Sequence, residues 1–156
     1  MTASTLIETV TADSITTLLQ DAGCRVNRIE QNQVVQLATA SQGIGYNVRF
    51  GNAAQGKTGE FLDFTYSCTL RVQGEIPDGL ANQWNASRRF ARLSVQGEFL
   101  VLEQDVVVAD GVSPKNLLGS LVLWDRVLQE FVIYLRDYSR NLAAAEQAKA
   151  EAEAAS

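Results

Sequence analysis

The chain contains no histidine among its 156 residues. That removes the usual general base near neutral pH, the commonest nitrogen ligand for metals and the central member of a catalytic triad. Cysteine is scarce too: Cys24 and Cys68 are the only two, which suits neither a disulfide framework nor a zinc site. Positive charge is in deficit, with 13 Lys+Arg against 18 Asp+Glu, a net charge of −5 and a pI near 4.7. Nucleic-acid binding needs a basic footprint, so that class of partner is excluded. No apolar run is long enough to span a bilayer, and residues 1–10 lack the basic patch and apolar segment of a signal peptide. The expectation is a cytoplasmic protein with no membrane partner.

What is present reads as an ordinary globular domain, 46% hydrophobic and 20% charged. One domain is expected over residues 1–142. The tail, residues 143–156, is almost all Ala, Glu, Gln and Lys, and either extends the last helix or frays.

The strongest period lies near the C-terminus. Leu117, Leu121, Trp124, Leu128, Phe131, Leu135, Tyr138 and Leu142 alternate four and three apart, which lines one side of a helix. Ser113 before Pro114 supplies an N-cap and a proline at the first helical position. A second apolar set, Leu118, Val122, Val127, Val132 and Ile133, widens the stripe and leaves surface for another chain. Core packing is the ordinary role of such a stripe.

Upstream, residues 11–22 carry Ile15, Leu18, Leu19 and Ala22 at helical spacing, and Gly23 stops the helix. Strands are expected at 25–30, 33–39 and 44–50, with turns at Gln31-Asn32 and Ser41-Gln42-Gly43. Residues 61–72 alternate strictly, with Leu62, Phe64, Tyr66, Cys68, Leu70 and Val72 on one face. Cys68 is therefore expected to be a buried small hydrophobe. Pro77-Asp78-Gly79 turns into a helix at 79–89 with Leu80 and Trp84 facing in, and a hairpin around Gly97 joins 92–96 to 98–108. The order α-β-β-β-β-α-β-β-α, with strands joined by tight turns, predicts an α+β fold: a twisted antiparallel β-sheet flanked by helices.

One stretch imitates catalytic chemistry. Gly51-Asn52-Ala53-Ala54-Gln55-Gly56-Lys57-Thr58 has the letters of a phosphate-binding loop, with Gly51, Gly56, Lys57 and Thr58 at the defining places. Such a loop works by leading into a helix whose N-terminal amides hold the phosphates. Here it leads into the strongest strand, so a flexible hairpin loop is expected instead. Gly43-Ile44-Gly45 lacks the third glycine of a dinucleotide fingerprint. Glu103 and Asp105 share a strand face, where solvated carboxylates are commoner than an acid–base pair. Arg88, Arg89 and Arg92 cluster, and a solvated or salt-bridged face is expected there rather than a phosphate or RNA site. No catalytic set, metal or cofactor is expected.

Trp84-Asn85, Arg89-Phe90, Leu102-Glu103-Gln104-Asp105 and Asp110-Gly111-Val112-Ser113 follow one another at telling intervals. On these residues the chain resembles the YbjN family over roughly 6–138, most closely from 82 to 131. The resemblance implies a fold like that of the type III secretion chaperones, typically dimeric, in bacterial proteins described as regulators of sensory transduction with no established enzymatic activity. Asp110 departs from the pattern, which has glycine there, and a cysteine pair found in some members around the third and fourth strands is missing. Physically, Trp84 suits a core anchor, and Asn85 suits a brace for a neighbouring backbone group. The leading expectation is a non-enzymatic, homodimeric adaptor that binds a protein partner through sheet edges and the spare apolar face of the last helix. The alternative is a nucleotide or small-molecule sensor using the Gly51–Thr58 loop.

Overall fold

The computed structural model describes residues 5–155, the side chains of Leu142, Ala145, Glu146 and Ala155 apart. Leu142 closed the predicted seam, so that position lies outside the described side chains. The elements run α1 (Ala12–Asp21), β1 (Asn27–Gln31), β2 (Val34–Ser41), β3 (Ile44–Phe50), β4 (Asp63–Arg71), α2 (Leu80–Ser87), β5 (Arg92–Gln96), β6 (Phe99–Val107) and α3 (Pro114–Ala155). This is the predicted order and an α+β fold. Six antiparallel strands form one sheet in the order β1-β2-β3-β4-β6-β5.

Turn chemistry sets the register. Asn32 and Gln33 join β1 to β2 with φ of 51° and 67°, and Gln42-Gly43 joins β2 to β3 with 50° and 83°. Two-residue turns with both φ positive match the strand twist and fix the flanking residues as a hydrogen-bonded pair. The α1 N-terminus closes on a reciprocal cap: Ser14 N donates to Thr11 Oγ1 (2.9 Å) and Thr11 N to Ser14 Oγ (2.8 Å). Ser113 caps α3 by accepting from Asn116 N at 3.0 Å.

The chain divides into two compact units, 1–124 and 125–156. In the first, Leu37, Val48, Phe64, Tyr66, Cys68 and Leu102 are fully buried on one sheet face. Leu117, Leu121 and Trp124 are buried on the opening turns of α3. Trp124 stacks on Tyr66 with ring centres 5.6 Å apart and meets Tyr46 edge-on at 5.6 Å. In the second unit, Val127, Leu128, Phe131 and Tyr134 are buried, whereas Leu135 and Tyr138 are half-buried. Val127, placed in the spare apolar set from sequence, is therefore core: it falls one position from Leu128, and the buried arc is wider than a narrow seam. Val132 and Ile133 remain exposed, as do Leu118 and Val122 in the first unit. The tail is helical to Ala155. No described helix is long and apolar enough to cross a membrane.

Candidate functional site

The polar face of the sheet carries the residues that resembled an acid–base pair. Glu103 on β6 is only 7% exposed, held between the guanidinium groups of Arg49 on β3 and Arg92 on β5. A solvated carboxylate was expected at this position. Strand order overturns that, because β6 lies inside the sheet, where arginines from strands on both sides reach across Glu103. Asp105 accepts from Arg92 Nη1 at 2.7 Å and from Thr65 Oγ1 at 2.7 Å. The hydrogen bond from Arg92 is the main reason its carboxyl is held below the usual range, with Thr65 adding to it and partial burial opposing it. Both carboxylates are thus counter-ions of arginine. A general acid must keep its proton to donate it, and Arg92 disfavours the protonated form of Asp105.

The three arginines separate. Arg92 faces Glu103 and Asp105, Arg88 lies over the Trp84 ring at 4.6 Å, and Arg89 lies over Phe90 at 5.0 Å.

The Gly51–Thr58 loop folds around an anion of its own. Asn52 donates to the Asp63 carboxylate twice, from its backbone N (2.9 Å) and from Nδ2 (2.7 Å). A Cβ on Gly51 would fall 1.9 Å from Asp63 Oδ1, so glycine permits this approach. The amides of Gly51, Ala54 and Lys57 donate to Asp63 O, Glu60 O and Ala54 O. Gly56 and Thr58 lie in turns, and β4 follows instead of a helix. The N–H groups of Gly51, Asn52, Ala54 and Lys57 are already engaged, and the Asp63 carboxylate stands beside them.

Trp84 and Asn85 act on the edge of the sheet. Trp84 is fully buried and its Nε1 donates to Ala91 O at 3.2 Å. Asn85 receives Leu93 N on Oδ1 and gives Nδ2 to Leu93 O, both at 2.8 Å. The side chain imitates a neighbouring strand and covers the outer edge of β5.

Two other edges stay open. On β1, pairing of Gln31 with Val34 across the two-residue turn directs residues 27, 29 and 31 towards β2, so Arg28 and Glu30 present their backbone groups outwards. On β6, bonds from Val72 N to Glu98 O and from Val108 N to Leu62 O fix the even-numbered residues towards β4. The odd-numbered ones face β5, which reaches only as far as Glu103. Asp105 and Val107 lie beyond it, beside a cleft of about 440 Å³. Sequence reasoning passed over this half-edge, although the predicted hairpin arms, 92–96 and 98–108, were already unequal. Phe90 figures in the sequence reading only within Arg89-Phe90 of the resemblance: it sits at φ 79°, half-exposed, where the chain leaves the line of β5. Among the described residues, no three Asp, Glu or Cys side chains gather as a metal site.

A family model, YbjN, described as "putative bacterial sensory transduction regulator", matches residues 11–136. Neither a curated protein nor a solved structure matches the chain.

Proposed function

The chain belongs to the YbjN family, and from that membership we propose that it is a non-enzymatic protein-binding module, a regulatory or chaperone-like adaptor working in the cytoplasm as a homodimer. Residues 1–142 form the functional domain in this proposal, with 143–156 as a helical extension. The observation that carries it is the β1 edge. All five residues of β1 are exposed, and its outward backbone groups belong to Arg28 and Glu30. Placed antiparallel about Ile29, a second β1 sets Arg28 opposite Glu30 and Glu30 opposite Arg28. Those are the outward-facing positions, so each pair exchanges two main-chain hydrogen bonds and the side chains pair as opposite charges. Ile29, 40% exposed, then meets its own copy. Such an interface is isologous, as a two-fold dimer requires.

Sedimentation velocity across a concentration series tests the dimer. Glu30→Arg sets arginine against arginine and is expected to give a monomer, whereas Arg28→Glu combined with Glu30→Arg restores opposite charges and association. A wild-type chain that stays monomeric at high micromolar concentration removes the homodimer. Quantitative affinity purification from the native cells tests the adaptor role. One partner near stoichiometry is expected, and recovery of the chain with only itself counts against it.

A further inference from the structure

We infer that the groove between the open half of β6 and the opening turns of α3 binds an extended peptide segment of a partner protein, which adds to the sheet in the line that β5 vacates. The inference rests on the proposed protein-binding role and names where a partner would sit.

Three independent features meet in this groove. The first is unpaired main chain. The N–H and C=O of Asp105 and Val107 point away from β4, and among the described residues no hydrogen bond reaches them. β5 cannot advance to cover them. Phe90 turns the chain away, and Ala91 O is already taken by the Trp84 indole.

The second is an orphaned acceptor. Gln104 is 4% exposed and lines the groove, and its Nε2 donates to Ser120 O at 3.3 Å. That bond fixes the amide orientation and leaves Oε1 buried with no donor. A buried acceptor without a donor is costly, and a donor on a seated ligand removes the cost.

The third is apolar and open surface. Phe90 is 55% exposed although its backbone occupies the left-handed region, an uncommon and unfavourable conformation for a bulky residue. Leu123 forms part of the opposite wall. Gly119 lines the same cleft, and an added Cβ there would meet nothing within 4 Å.

The spacing of the free groups selects the occupant. Asp105 and Val107 are two residues apart on a strand, about 6.8 Å. A second extended main chain repeats donors and acceptors at that interval. A helix has its central backbone groups already bonded, and a small molecule seldom carries the repeat. Residues of the bound strand that face α3 lie beside Gln104 and Val106, so the segment takes an apolar side chain there and an amide, hydroxyl or guanidinium donor for Gln104 Oε1. Main-chain pairing supplies affinity and the α3 side supplies selectivity.

The test is selection of random heptapeptides displayed on phage against the tagged full chain. The enriched sequence is then synthesised and titrated by fluorescence polarisation. A Cβ at Gly119 meets nothing within 4 Å and Phe90→Gly accepts the positive φ, so Gly119→Arg and Phe90→Gly are both expected to fold. Each is expected to weaken binding at least tenfold. Amide exchange followed by NMR is expected to slow at least tenfold at Asp105 and Val107 on adding the peptide, with Gln104 and Val106 changing little. No enrichment, or a peptide that binds both variants as it binds the wild type, overturns the groove. Glu30→Arg separates the two proposals: peptide binding retained by a monomeric Glu30→Arg chain supports the groove independently of the dimer. A wild-type dimer that takes no peptide refutes the groove alone.

Discussion

Asn85 and Leu93 exchange a complete pair of hydrogen bonds, Leu93 N to Asn85 Oδ1 and Asn85 Nδ2 to Leu93 O, both at 2.8 Å. An amide side chain supplies one donor and one acceptor side by side, as a strand residue does, so α2 shields β5 without contributing a strand. Asn85→Ala leaves both Leu93 groups unmet in a half-buried place and is expected to cost about 2–3 kcal/mol. Asn85→Asp keeps the acceptor and loses the donor, so it should fall between the two. Urea unfolding midpoints at unchanged slope check the order.

Acid sensitivity should follow Asp105. Its folded carboxyl titrates below the unfolded value, chiefly through the hydrogen bond from Arg92. The stabilisation is therefore complete above about pH 4 and is lost as pH falls through the depressed folded value. Asp105→Asn should flatten the decline in urea midpoint as pH falls below about 4. The side chain is 52% exposed, so added salt should shrink the difference.

At the alkaline end Tyr66 acts in the opposite sense. Burial pushes its phenol up to about 12, opposed by the lowering effect of its hydrogen bond with Ser120. A raised folded pKa gives stabilisation that is full below about pH 10 and lost as pH rises towards 12, about 2–3 kcal/mol for a shift of this size. Burial also raises the Cys68 thiol to about 11, which opens an earlier window from about pH 9. Tyr66→Phe should keep the early decline and remove the later one in a series of urea midpoints.

Asp110 offers a gain. It stands at φ 67°, and Gly111 follows at φ 105°. Aspartate tolerates the left-handed region better than most residues, but glycine enters it freely. Asp110→Gly is expected to add up to about 1 kcal/mol and raise the melting temperature by a few degrees. Gly111→Ala should do the reverse, since its Cβ would also fall 2.9 Å from Leu6 Cδ1. Differential scanning calorimetry of both variants reads the two signs together.

By itself the sequence determined the order of elements and the phase of the strands at 44–50 and 61–72. Strict alternation along residues 61–72 permits only a strand, and a polar pair between two runs marks a turn, although the first turn falls at Asn32-Gln33, one residue beyond the expected Gln31-Asn32. Both are local effects, and local effects are written in consecutive letters. The brace offered by Asn85 was legible for the same reason, since a short amide bonds main chain close by. Tertiary structure decided what stands opposite each face and edge. Glu103 reads as a solvent-facing carboxylate until Arg49, 54 positions away, folds against it. The Gly51–Thr58 loop has the letters of a phosphate cradle but leads into a strand, which already pointed to a hairpin loop; that it folds around Asp63 only the structure decided. The half-edge at Asp105 and Val107 exists only because β5 turns off at Phe90 while β6 runs on. Alternation tells which side chains share a face. Covering that face takes residues far along the chain, and their arrival depends on strand order and on where each strand stops.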